Sequence, residues 1–276
     1  MQGNDWLKAL QAKANLPVAR PRVPFYVQNM KIGSVEPIFM HQIALKSNEF
    51  GRKKLLKEER SSSDECIGWH LLLAADDITN RLNQLADLLR SAGLAAAWRN
   101  EQLAVRDELG IQIGTIERAA VRPLGIATLA VHLVGQTTDG RFWVQQRAFD
   151  KPNDPGKWDT LMGGMVSAED TVESALARET WEEAGLRIAD LQDLRYGGRQ
   201  SNCRPSSDGA AGYMQEFIEW YTATLPDGLT PNNQDGEVAQ FVLMDQAQLL
   251  AAMQRGEFTL ETALIFASVL KLIDQR

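Results

Sequence analysis

The sequence is poor in cysteine. Cys66 and Cys203 are the only two among 276 residues, they lie far apart, and they form no CxxC pair. That spacing offers no disulfide framework, and free thiols in a reducing compartment are the expectation. Long apolar runs are absent too. The longest, "LGIATLAVHLVG" from Leu124 to Gly135, is twelve residues and contains His132, whereas a membrane span needs about eighteen. The opening stretch "MQGNDWLKALQAKANL" lacks the apolar core of a signal peptide. A cytoplasmic protein without a membrane partner is therefore expected. Nor is there an excess of positive charge: 29 Lys and Arg against 36 Asp and Glu leave a net charge of -7. This argues against nucleic acid as the main partner. It leaves phosphorylated small molecules open, because metal ions can supply positive charge locally. No internal repeat or low-complexity tract interrupts the chain.

What remains is ordinary for a globular protein, with 44% apolar and 24% charged residues in a chain long enough for one large domain or two modest ones. A short N-terminal segment can be helical. Pro17, Pro21 and Pro24 keep the following stretch extended, and Phe25–Val27 and the region around Val35 read as two strands about a polar turn. "KSNEFGRKKLLKEERSSSDE" reads as a polar stretch ending in an exposed serine loop. Ile78, Leu82, Leu85 and Leu89 recur at helical spacing until Gly93. "WRNEQLAVRDELG" and "IQIGTIERAA" follow as a strand, a turn and a second short element. The texture changes around Arg118–Pro123, where a domain boundary is expected near residue 118. Beyond it, "GIATLAVHLVG" and "RFWVQQR" form a predicted hairpin through "TTDG". A polar loop, "AFDKPNDPGKWDTLM", comes next. After an acidic helix, "MQEFIEWYTATLP" and "EVAQFVLMD" alternate like strands. Two helices close the chain, the last with Ala263, Phe266, Leu270 and Ile273 on one stripe. Strands and helices mix without strict alternation, which predicts a mixed sheet flanked by helices.

The acidic helix, within "GGMVSAEDTVESALARETWEEAGL" from Gly163 to Leu186, is the unusual feature. Glu179, Glu182 and Glu183 fall within one turn with a single basic neighbour, Arg178. Like charges three and four residues apart repel by roughly 0.2–0.5 kcal/mol per pair. Ser167 and Asp170 fit a helix N-terminus, and Gly185 fits a left-handed C-terminal cap. The apolar stripe of Val172, Ala175 and Leu176 continues by helical steps into the glutamates, so they extend the buried face towards its open end. Three carboxylates on a short arc beside a glycine-rich loop suit a hard divalent cation with oxygen ligands.

The full pattern runs Gly164, five residues, Asp170, seven residues, Arg178-Glu179, two residues, Glu182-Glu183, one residue, Gly185 and Leu186. It resembles the Nudix box. The resemblance implies an α/β/α sandwich with a mixed sheet over residues 119–276, in which the box forms a loop–helix–loop holding Mg2+ or Mn2+. Glu179, Glu182 and Glu183 would be the metal ligands, with the carbonyl of Gly163 as a further candidate. Arg178 would orient Glu179 by a salt bridge. Glu237, in "DGEVAQF", matches the place where many members supply another glutamate, as ligand or general base. Two departures stand out: Asp170 where the box normally has glutamate, and Thr180 at an apolar position.

"WRNEQLAV", "GIATLAVHLVG", "DKPNDPGKWDTLMGG" and "TPNNQDGEVAQF" further resemble Nudix proteins carrying an N-terminal thiamin-pyrophosphokinase-like extension. Residues 1–118 would then be a smaller α+β domain of unassigned role. The implied activity is metal-dependent hydrolysis of a diphosphate linked to an organic group, such as thiamine diphosphate or its oxidised forms, to the monophosphate. Glu179 is the first choice of general base and Glu237 the second. Arg147, Lys151 and Trp158 are the candidates for contact with the substrate. Two alternatives stay open. One is a diphosphate isomerase on a similar fold, for which Cys203 is the candidate for proton transfer. The other is a non-catalytic nucleotide sensor. A homodimer is compatible with the family resemblance, but no surface patch is assigned to it.

Overall fold

The computed structural model describes residues 5–49, 55–73, 77–206 and 212–273. Its first part contains α1 (Asp5–Ala14), β1 (Val23–Val27), β2 (Met30–Val35), α2 (Pro37–Glu49), β3 (Leu56–Arg60), β4 (Cys66–Leu71), α3 (Ile78–Ser91), β5 (Gln102–Arg106) and β6 (Gln112–Glu117). β1 to β4 form one sheet in the order β2-β1-β4-β3, with β1 and β4 parallel. The helical spacing expected from Ile78 is realised in α3, where Leu82, Leu85 and Leu89 are fully buried. They pack with Phe25, Met40 and Ile116 into a single core.

The polar stretch ahead of the serine run carries secondary structure at both ends. α2 runs into it and β3 emerges from it, while residues 50–54 lie outside the described residues. β3 is an edge strand, and Leu55 and Leu56 are its buried anchors. A strand that buries so few side chains has the composition of a loop, and its order comes from backbone pairing with β4. The serine run does form the turn that follows, where Asp64 N–H donates to the Ser61 carbonyl (3.1 Å).

The second part comprises β7 (Thr128–Thr137), β8 (Phe142–Arg147), β9 (Trp158–Asp159), β10 (Met162–Met165), α4 (Val172–Ala184), β11 (Gln192–Pro205), β12 (Tyr213–Leu225), β13 (Val238–Met244), α5 (Gln246–Gln254) and α6 (Leu260–Val269). The mixed sheet runs β11-β12-β7-β8-β13, with β7 and β12 parallel. β7 pairs with β8 only at Gly135 and Gln136. From Ala130 to Leu133 the same edge of β7 is taken by β10, and β8 pairs instead with β9 and β13. The sheet therefore forks, and β10 carries its two glycines into the fork.

Alternation along β7 sets the two faces. Val131 and Leu133 pack with Leu176 and Ala184 of α4. Ala130 and Val134 join Trp220, Leu249 and Phe266 in the core beneath α5, α6 and α1. Helices on both faces of a mixed sheet make the α/β/α sandwich. Among the described residues no helix is long and apolar enough to cross a membrane, and Cys66 and Cys203 are free thiols.

Candidate active site

α4 begins later than the Ser167–Asp170 signal suggests. Its N-cap is Thr171, whose hydroxyl accepts from Ser174 N–H (3.1 Å) while the Ser174 hydroxyl accepts from Thr171 N–H (2.9 Å). Asp170 is thereby free for another task. Its Oδ2 accepts from the Ser167 hydroxyl (3.0 Å) and from Arg178 Nε and Nη2 (3.0 and 2.8 Å). Burial pushes the Asp170 carboxyl up, but these hydrogen bonds outweigh it and the net shift is downward. The far end of the helix is as expected: Gly185 has φ of 66° and caps it.

Arg178 is the hub of the acid cluster. Its Nη1 donates to Glu179 Oε1 and to Glu182 Oε2, both at 2.9 Å, while Nη2 also reaches the Met165 carbonyl (3.3 Å). The Arg178–Glu179 ion pair expected from the sequence is thus present, and one guanidinium serves three carboxylates. Glu183 is turned inward and buried. Its Oε2 accepts from Gly163 N–H (3.0 Å) and Gln145 Nε2 (2.8 Å). Burial pushes Glu183 up to about 8 against those two donors. Burial likewise takes Glu179 to about 7, opposed by Arg178 and aided by the charge of Glu182.

The two glycines of β10 are needed for close approach. A Cβ at Gly163 would run into the ring of His132, and one at Gly164 would overlap the Glu179 carboxylate. His132 is itself fixed from below, its Nδ1 hydrogen-bonded to the Thr160 hydroxyl at 2.9 Å. Burial drives its pKa down, against the charges of Asp159 and Glu261. Asp159 completes this buried network by accepting from Thr262 of α6 and from Arg147 Nη1 (3.2 Å).

These groups line a cleft of about 480 Å3 that also exposes Lys151 and Glu237. Lys151 Nζ forms an ion pair with Glu237. Burial raises the Glu237 pKa, but the Lys151 ammonium overrides it and holds the carboxyl below its ordinary value. Arg147 reaches the cleft with its guanidinium on Asp159 and on the Asn153 carbonyl. Trp158 stands elsewhere. It is not among the residues of the cleft wall, and its ring packs against the core beneath α5 and α6. An aromatic immediately ahead of the glycine loop can stack on a substrate ring or pack the loop, packing being the reading its sequence position favours, and here it packs.

Sequence reasoning passed over several cleft residues. Glu101, Arg118 and Arg122 reach it from the first part of the chain, and Arg204, Glu216 and Glu261 from β11, β12 and α6. No local pattern marks them. The hairpin of β5 and β6 is held against the box by Ala168 N–H donating to the Gln102 carbonyl (2.8 Å) and by Gln112 Nε2 donating to the Ala168 carbonyl (3.3 Å), tertiary contacts that bring Glu101 to the cleft.

The donor set suits a hard divalent cation: three carboxylates and a main-chain carbonyl on one wall of a polar cleft. Among the described residues no three acidic, His or Cys side chains converge tightly enough to grip an ion. The reason is visible in the hydrogen bonds. Arg178 holds Glu179 and Glu182, while Gly163 N–H and Gln145 hold Glu183. Side-chain rotation of Glu179 and Glu182 away from the guanidinium would be required. Beside Glu183, Gln145 Oε1 is buried without a partner, an acceptor that suits a metal-bound water.

A mixed-sheet sandwich that opens an Arg-centred glutamate cluster onto a polar cleft defines the class. The chain belongs to the Nudix family: residues 125–262 match the NUDIX domain. It is 26% identical over 254 residues to Nudix hydrolase 20, chloroplastic, of Arabidopsis thaliana, a match covering 86% of this chain and 63% of that protein. To Nudix hydrolase 24, chloroplastic, of the same plant it is 28% identical over 197 residues, covering 66% of this chain and 50% of that one. The chain thus spans between half and just under two thirds of the length of these relatives. It is also 30% identical over 163 residues to isopentenyl-diphosphate Delta-isomerase of Leifsonia xyli subsp. xyli, covering 55% of this chain and 81% of that protein. Among solved structures, a Deinococcus radiodurans protein superposes with a TM-score of 0.48 at 22% identity, over 62% of this chain and 98% of the other.

Proposed function

We propose that this protein is a divalent-metal-dependent hydrolase of a diphosphate joined to an organic group. Thiamine diphosphate and its oxidised forms, cut to the monophosphate, are the first substrates to test. The observation that carries the reading is the cluster of Glu179, Glu182 and Glu183 gathered by Arg178 on the wall of a polar cleft. Glu179, Glu182 and Glu183, with the Gly163 carbonyl, would hold Mg2+ or Mn2+. Such an ion neutralises phosphate oxygens, lowers the pKa of bound water and aligns the displaced groups.

The chain's own residues do the rest. Glu179 is the general base: Arg178 fixes its orientation. Glu237, tied to Lys151, is the second choice. Lys151 and Arg147, both on the cleft, are placed to meet the anionic oxygens of the substrate. Residues 1–118 form a separate unit of this reading, resembling the thiamin-pyrophosphokinase-like extension, that adds Glu101 and Arg118 to the cleft wall. A small-molecule diphosphate is the partner, and the free thiols support a cytoplasmic setting. Turnover with Mn2+ in 18O-labelled water tests the chemistry, because a hydrolase places one labelled oxygen in a released phosphate or monophosphate and an isomerase places none.

The similarity to an isomerase calls for a direct check of Cys203. This residue lies between Asn202 and Arg204 on β11, and those two reach Glu261 while Cys203 takes the opposite side, away from the cleft wall. Its carbonyl accepts from Leu16 N–H (2.9 Å), and burial pushes the thiol pKa up, away from the thiolate. Cys203→Ala should leave phosphate release unchanged. A variant that loses all turnover would return the isomerase reading to the front.

A further inference from the structure

The cleft continues past the acid cluster into a second arm. In the ladder, Asn202 of β11, Glu216 of β12 and Thr128 of β7 stand opposite one another. A smaller pocket of about 220 Å3 opens onto the same Glu216. Ala96, Ala97, Ala119, Val121 and Met165 line it, together with Arg99, Arg118 and Arg122. The pocket therefore combines small apolar side chains and guanidinium groups with one carboxylate.

Glu216 is 9% exposed and lines both cavities. Among the described residues no hydrogen bond or ion pair engages its carboxylate. The neighbouring charges are occupied elsewhere. Arg204 Nη2 and Asn202 Nδ2 both donate to Glu261 Oε1 at 3.0 Å, and Arg118 Nη1 donates to Glu101 Oε2 at 2.7 Å. Burial and the charge of Glu261 push the Glu216 pKa up, and Arg122, Arg118 and Arg204 only partly offset this. On the adjacent strand, Arg204 Nε is buried with no partner of its own. A native interior rarely leaves a side chain so little exposed without a hydrogen bond, and Glu216 is in that state on the border of two cavities.

We propose that Glu216 is a specificity-determining residue that accepts hydrogen bonds from the N–H donors of a flat nitrogen heterocycle, the organic half of the substrate. The ring lies between the alanine-lined wall supplied by the first part of the chain and the sheet. A heterocycle with an amino group, or one that also carries a positive charge, satisfies the carboxylate. A hydrocarbon chain does not, and would leave the carboxylate unpaired. This rests on the reading of the acid cluster as the diphosphate end of the same cleft.

Titration calorimetry of the full chain in metal-free buffer tests it, with thiamine and adenosine as probes and no phosphate on either. Wild type should bind at least one of them, and Glu216→Leu should weaken that binding roughly tenfold to a hundredfold, the effect of losing a charge-assisted hydrogen bond. Unchanged melting behaviour would show that the variant is folded. Glu216→Gln separates the two sources of affinity. It should retain most of the binding of adenosine, a neutral donor, and lose that of thiamine, a cation. Equal affinity of wild type and Glu216→Leu for both probes, or no binding of either probe to wild type, would overturn the proposal. Because the probes carry no anhydride, Glu216-dependent binding by a protein that hydrolyses no diphosphate would keep this assignment while sinking the hydrolase.

Discussion

Glu179→Gln should lower metal-dependent turnover of an organic diphosphate by roughly a hundred- to ten-thousandfold, the span associated with losing a general base. Glutamine keeps the shape of the side chain and can still accept from Arg178, so the fold should survive. Burial already disfavours the charged carboxylate, with its pKa near 7. The neutral amide therefore removes a costly charge, and the variant should melt no lower than wild type. This split, activity lost with stability retained, separates a catalytic role from a structural one. Glu237→Gln should cost less, because its carboxylate is held by Lys151 and stays ionised. A larger loss in Glu237→Gln than in Glu179→Gln would exchange the two assignments.

Gly164→Ala should have the next largest effect, through a single methyl group. The added Cβ would overlap the Glu179 carboxylate and force it from its place beside Arg178. Displacing a ligand or its support typically costs 10–100-fold in metal affinity or activity, taken as an order-of-magnitude guide. The expected outcome is weaker Mn2+ binding by calorimetry together with reduced turnover at saturating metal. Wild-type Mn2+ affinity in Gly164→Ala would mean that Glu179 does not contribute to holding the ion. Gly163→Ala is a less clean experiment, because its Cβ meets the buried His132 ring and would disturb the network under the loop as well.

Much of the site was legible because its spacing is a local property. The arc of Glu179, Glu182 and Glu183, the Arg178 pair and the Gly185 cap all follow from positions within two helical turns. The start of that helix was misread by four residues. Ser167 and Asp170 satisfy the capping pattern as written, but Thr171 and Ser174 satisfy it too, and the demand of Arg178 for a carboxylate decides between them. The strand at Leu56–Arg60 was hidden because β3 draws its stability from β4 rather than from its own side chains. β11, with Gln, Asp, Arg and Gly along its length, escaped for the same reason, since its ladder partner β12 supplies its order. The cleft contributions of Glu101, Arg118, Arg204 and Glu216 depend on contacts between distant segments, and no window of sequence contains them.

Release of phosphate or of a monophosphate from a panel of organic diphosphates, with Mg2+ or Mn2+, compared between wild type and Glu182→Gln, tests the central claim most directly. The panel holds thiamine diphosphate and its oxidised forms, ADP-ribose, dinucleotides and coenzyme A. Metal-dependent release by wild type that collapses in Glu182→Gln is the expected result, with the fastest substrate naming the organic group. Equal and negligible release from both proteins across the panel, despite bound metal, would contradict the assignment of the acid cluster to hydrolysis.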